Sequence, residues 1–89
     1  MLSVKVKLLN KVGLHARPAA QFVQTAKKFK SNITVCKDEQ AANAKSILEI
    51  LSLGAEYGDE ILIQADGPDE KEAIKELLDL LEKFRREEG

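Results

Sequence analysis

The stretch "EILIQADGPDEKEAIKELLDLLEKF", residues 60–84, changes its period halfway along. Up to residue 65 the apolar side chains Ile61, Ile63 and Ala65 fall on alternate positions, the pattern of a strand with one buried face. Gly67 and Pro68 interrupt the chain, and Asp69 with Glu72 marks a helix start. From there Ala73, Ile74, Leu77, Leu78, Leu81 and Phe84 recur at helical spacing and form one stripe. A strand with one apolar face runs into a helix with one apolar stripe. Each must bury its face, and the simplest solution packs the helix on the sheet.

The rest of the chain repeats this grammar. "SVKVKLL", residues 3–9, alternates Val4, Val6 and Leu8 with Lys5 and Lys7, another half-buried strand. From Ala16 the period becomes helical, with Phe22, Val23, Ala26 and Phe29 on one face. "NITVCK", residues 32–37, is rich in β-branched residues and reads as a strand, although "NIT" also matches a glycosylation acceptor. Cys36 is expected to be buried there rather than reactive. "QAANA", residues 40–44, reads as an edge strand. "SILEILSLG", residues 46–54, reads as a short helix, with Ser46 and Glu49 as a capping box and Gly54 at its end. The order is β-α-β-β-α-β-α. Strands with one apolar face need helices on one side only. The expected fold class is therefore α+β: a two-layer open-faced sandwich, with a four-stranded antiparallel sheet and three helices on one face. Residues 1–89 are expected to form a single domain.

Composition removes several function classes. One cysteine forbids an internal disulfide framework, and one cysteine with one histidine cannot supply a structural zinc site. No metal and no cofactor is expected. A net charge of −1 and four aromatics without tryptophan give no footprint for nucleic acid. No apolar run approaches the roughly 20 residues of a membrane span, and the alternating lysines of "MLSVKVKLLN" do not resemble a secretory signal. A cytoplasmic protein is expected.

The chemistry gathers in "GLHARPAA", residues 13–20, which holds the chain's one histidine, His15. Arg17 and Pro18 follow as a helix begins, and proline suits a first turn because its missing N–H costs nothing there. The first N–H groups of a helix lack internal partners and carry its positive partial charge, so that end favours anions. A nucleophilic imidazole at such an end, beside a guanidinium that matches phosphate oxygens, suits a phosphoryl acceptor. Gly13 lets the preceding loop turn tightly. The plain alternative is an exposed loop histidine beside a solvated arginine.

"GLHARPAAQFV" closely resembles the active-site motif of the HPr family, the histidine-containing phosphocarriers of the bacterial phosphoenolpyruvate-dependent sugar phosphotransferase system. "KSILEILSLG", residues 45–54, resembles the family's second signature, around a regulatory serine. The resemblance covers essentially the whole chain. It implies that His15 accepts a phosphoryl group on Nδ1 from phosphorylated enzyme I and passes it to a sugar-specific enzyme IIA. Arg17 would support the phosphate. Ser46 would be the target of an HPr kinase/phosphorylase, with a catabolite-control transcription regulator as a further partner. The family's docking surface maps to Ala16, Ala20, Ile47, Leu48 and Leu51. Helical spacing expects Ile47 and Ile50 in the core and Leu48 and Leu51 at the surface. Two departures stand out: Glu49 places an acid in the docking patch, and Ala16 offers no hydroxyl to a phosphate. "NKVGLHARPAA" is also similar to nitrogen-branch paralogues of HPr. Two other classes compete. A regulatory binding module controlled at Ser46 would not need the imidazole, and a histidine-nucleophile phosphatase would need a general acid beside His15.

Overall fold

The computed structural model describes residues 1–88. Seven elements follow in chain order: β1 (Leu2–Lys7), α1 (Ala16–Ala26), β2 (Asn32–Lys37), β3 (Gln40–Asn43), α2 (Ile47–Ser52), β4 (Glu60–Asp66) and α3 (Glu70–Glu88). The strands form one antiparallel sheet in the order β1-β4-β2-β3. The expected α+β sandwich, with β-α-β-β-α-β-α order, is what the chain adopts.

Register explains the one-sided core. Val4 lies opposite Ile63, Ile63 opposite Val35, and Val35 opposite Ala42, a row across all four strands. Side chains alternate along a strand, so this row shares one face. Ile63, Val35 and Ala42 are buried under the helices, while Val4, on the edge strand, is half-buried. The next row, Lys5, Leu62, Cys36 and Ala41, lies on the open face. Cys36 is therefore in a strand, as expected, but half-buried on the open side rather than in the core. Pro18, Ala19, Phe22, Val23 and Ala26 of α1 close the other side of the core. Ala73, Leu77, Leu81 and Phe84 of α3 do the same. Burying each large apolar side chain contributes roughly 1.5–3 kcal/mol.

Several boundaries and caps differ from the sequence reading, each because of a distant partner. β1 ends at Lys7, yet Leu8 stays paired: its N–H donates to Asp59 O at 2.8 Å, and its C=O accepts from Gly58 N at 2.7 Å. Helix α1 ends at Ala26, so Phe29 packs on the core from a turn and not from the helix. That turn is held from outside. Lys45 Nζ donates to Phe29 O at 2.7 Å, and the Asp69 carboxylate accepts from the N–H groups of Lys30 and Ser31 and from the Ser31 hydroxyl. Asp69 sits at the expected start of α3, and its C=O accepts from Ala73 N at 3.0 Å. Its side chain, however, clamps the α1–β2 turn, and Glu70 reaches back to accept from Gly67 N at 3.1 Å.

The Asp69 carboxyl is held below its ordinary range, chiefly by the Ser31 hydroxyl and next by the Lys30 N–H. A depressed carboxylate stabilises the fold above its unfolded-state value, and that contribution disappears as pH falls through the folded value. Acid titration of unfolding should therefore show Asp69→Ala losing less stability than the wild-type protein below the ordinary carboxylate range. Identical acid limbs would remove Asp69 from the acid sensitivity of the fold.

Candidate functional site

The loop between β1 and α1 is built to present residue 15. Asn10 is buried and its Nδ2 donates to Gly13 O at 2.7 Å, while Gly13 N–H donates to Asn10 O at 3.1 Å. This closes a tight turn. Gly13 has φ +59, and a Cβ there would lie 2.5 Å from Ala55 O and 2.6 Å from the Glu56 Cα. Only glycine permits that approach of two backbones. Leu14 N–H then donates to Ala55 O at 2.9 Å, and the Leu14 side chain is buried. One residue after this anchor the chain emerges, and His15 is 59 % exposed.

His15 is the N-cap of α1, in extended backbone conformation, and its C=O accepts from Ala19 N at 2.7 Å. Its side chain makes no capping hydrogen bond. The N–H groups of Ala16 and Arg17 have no intrahelical partner, and Pro18 has no N–H to satisfy. No acidic residue lies in the first turn to offset the dipole. Arg17 is exposed, and among the described residues its side chain enters no ion pair. His15 at the N-cap, the unpaired N–H groups and the exposed Arg17 thus all belong to the first turn of α1.

It also adds a group which that reading missed. Glu56 Oε1 lies 3.9 Å from His15 Nε2. The turn carrying Glu56 is fixed: its N–H donates to the Asp59 carboxylate at 2.8 Å, and Asp59 N–H donates to Glu56 O at 3.0 Å. Lys37 Nζ reaches both Asp59 (3.1 Å) and Gly54 O (3.1 Å). The Asp59 carboxyl is held below its ordinary range, first by the Glu56 N–H and then by Lys37. An aspartate three positions after Glu56, with Gly58 between them, was the available signal for a closed turn. Nothing local could place that turn against His15.

The second motif lies on the neighbouring helix, since α1 packs against α2. Ser46 is the N-cap of α2, and its Oγ accepts from Glu49 N at 3.3 Å. The reciprocal half of the expected capping box is absent. The Glu49 carboxylate accepts from Asn43 N at 2.9 Å instead, which ties α2 to the end of β3. Glu49 is therefore exposed but held toward β3. Ile50 is buried as expected, whereas Ile47, expected in the core, is 37 % exposed. A helix of six residues has only one turn to bury, and Ile50 with Leu53 beyond its end fills that space. Ile47 joins Leu48 (74 %) and Leu51 (42 %) as an apolar surface, and Ala16 and Ala20 are exposed on α1.

An imidazole this exposed, at a helix end with unpaired donors, is open to groups on the surface of another molecule. A family described as "PTS HPr component phosphorylation site" matches residues 2–83. Phosphocarrier protein HPr of Neisseria meningitidis is 43% identical over 81 residues, 91% of each chain. The HPr-like protein Crh of Bacillus subtilis is 46% identical over 77 residues, 86% of this chain and 91% of that one. The crystal structure of HPr from Thermoanaerobacter tengcongensis superposes with a TM-score of 0.92 at 54% identity, covering 96% of both chains. The chain belongs to the HPr family of phosphocarriers, components of the phosphotransferase system. Among the described residues no helix is long and apolar enough to cross a membrane.

Proposed function

We propose that His15 accepts a phosphoryl group from phosphorylated enzyme I and hands it to a sugar-specific enzyme IIA. The observation that carries this reading is the exposed imidazole at the N-terminus of α1, with the free N–H groups of Ala16 and Arg17 following it and Arg17 exposed in the same first turn. A ring nitrogen attacks phosphorus, the phosphorus–donor bond breaks, and its electron pair leaves with the donor. The reverse sequence delivers the group onward. Nδ1 is the acceptor that the family resemblance implies, and Nε2 is the nitrogen that faces Glu56. Helix N–H groups and Arg17 stabilise charge on the moving phosphoryl oxygens. The exposed apolar residues Ala16, Ala20, Ile47, Leu48 and Leu51 form the docking surface for both partners. Incubation with enzyme I and phosphoenolpyruvate should add the mass of one phosphoryl group. His15→Ala should add none, and full labelling of that variant would remove His15 from the account.

A second layer of function concerns Ser46, which stands at the start of the helix that carries Leu48 and Leu51. Phosphorylation by an HPr kinase/phosphorylase would add about two negative charges beside that surface and repel partners that fit the unmodified face. It would also create the form read by a catabolite-control regulator. Ser46→Asp should keep the fold, because aspartate also caps helices, and should slow phosphoryl transfer from enzyme I. Ser46→Ala should lower stability by roughly 0.5–1 kcal/mol, since the cap bond is long, with transfer unchanged. Equal transfer rates in wild type and Ser46→Asp would show that charge at this position is not the control.

A further inference from the structure

Glu56 stands where the family motifs give no reason to look, and its place follows from the backbone. Gly13 meets Ala55 and Glu56 with no room for a Cβ, and Leu14 donates to Ala55 O at 2.9 Å. The residue after Leu14 is the nucleophile, and the residue after Ala55 is Glu56. These two short segments are registered against each other, and the Asp59 clamp fixes the turn from its far side. The carboxylate then reaches Nε2 at 3.9 Å, ion-pair distance, with both side chains open to solvent.

We infer that Glu56 is a positioning residue for phosphoryl transfer: it keeps a proton on His15 Nε2 and so leaves the Nδ1 lone pair to take the phosphoryl group. The inference rests on the carrier reading of His15. When neutral imidazole with hydrogen on Nε2 attacks phosphorus through Nδ1, the ring gains positive charge. A carboxylate facing Nε2–H stabilises that charge. When the Nδ1–phosphorus bond later breaks, the electron pair returns to Nδ1, and the group that departs is neutral imidazole rather than imidazolate. Retaining the Nε2 proton thus favours both arrival and release. Of the charged groups, Glu56, from the turn after α2, faces the ring at Nε2, and Arg17 follows His15 in the first turn of α1. Arg17 and the helix end act on the phosphate, and Glu56 acts on the opposite nitrogen. Before docking, the effect has the size of an exposed pair.

The hydrolysis test needs no partner protein, and transfer from enzyme I is measured beside it. Phosphoramidate phosphorylates imidazoles directly, and its nitrogen leaves as ammonia. Wild type, Glu56→Gln and Glu56→Ala are phosphorylated this way, freed of reagent, and followed by intact mass as the phosphohistidine hydrolyses between pH 5 and 9. At pH 8, where solvent supplies few protons, both variants should hydrolyse about two- to fivefold more slowly than wild type. At pH 5, where solvent protons are plentiful, the three rates should converge. Thermal melting should be unchanged, because Glu56 contributes only backbone groups to its turn. Superimposable pH profiles would overturn the role of Glu56 and leave the carrier reading intact. So would slower transfer from enzyme I with unchanged hydrolysis, which would make Glu56 a docking residue. Failure of wild type to take a phosphoryl group from either donor would overturn the carrier reading itself.

Discussion

Arg17→Ala is expected to slow phosphoryl transfer from enzyme I roughly a hundredfold, the scale of losing one donor aimed at developing charge. Arg17→Lys should fall between wild type and alanine, because it keeps the charge and loses the planar fork that matches phosphate oxygens. Stability should barely change in either variant, since the side chain is exposed and enters no ion pair among the described residues. Affinity for unphosphorylated enzyme I should change far less than the rate. Rapid-quench transfer rates set beside calorimetric affinities separate the two effects. Equal losses in both would make Arg17 a docking residue, and no loss in either would return it to the solvated surface.

Gly13→Ala is expected to lower stability by about 3 kcal/mol. Roughly 1–2 kcal/mol arises from forcing an L side chain into the left-handed region. The remainder comes from a methyl group placed 2.5 Å from Ala55 O, where neither backbone can yield cheaply. For a domain of this size that corresponds to a melting temperature lower by about 10 °C or more. Phosphoryl acceptance should fall as well, since Leu14 and His15 hang from this contact. Gly54→Ala is the control: its φ is +61, but nothing lies within 4 Å of the added Cβ. It should cost only the backbone part, about 1 kcal/mol, and leave transfer intact. Equal shifts for the two variants would mean that the approach of Gly13 to residues 55–56 is not what holds the loop.

These contrasts mark what a sequence can disclose. The alternation of Val4 and Val6, and of Ile61 and Ile63, records which face of the sheet is covered, because burial leaves its period in consecutive residues. The α3 stripe is legible for the same reason. His15, Arg17 and Pro18 could be read together because the chemistry of a helix N-terminus is local. Partners chosen by tertiary contact left no such trace. Asp69 has the composition of a cap and spends its carboxylate on Lys30 and Ser31. Glu49 has the spacing of a capping box and bonds Asn43 instead. Ile47 follows a helical pattern, but α2 is too short to bury a second isoleucine beside Ile50. Glu56 was invisible because its neighbour in space, His15, lies far from it along the chain.

The central claim is that this protein carries a phosphoryl group on His15 between two other proteins. The most direct measurement is a relay. Protein phosphorylated by enzyme I and phosphoenolpyruvate is separated from both, mixed with the enzyme IIA of the same organism, and quenched at short times for intact mass and peptide mapping. The account predicts that His15 loses its acid-labile phosphoryl group as enzyme IIA gains one, mole for mole, and that His15→Ala relays nothing. Release of the group only as inorganic phosphate, or a phosphoryl group mapped to a residue other than His15, would contradict it.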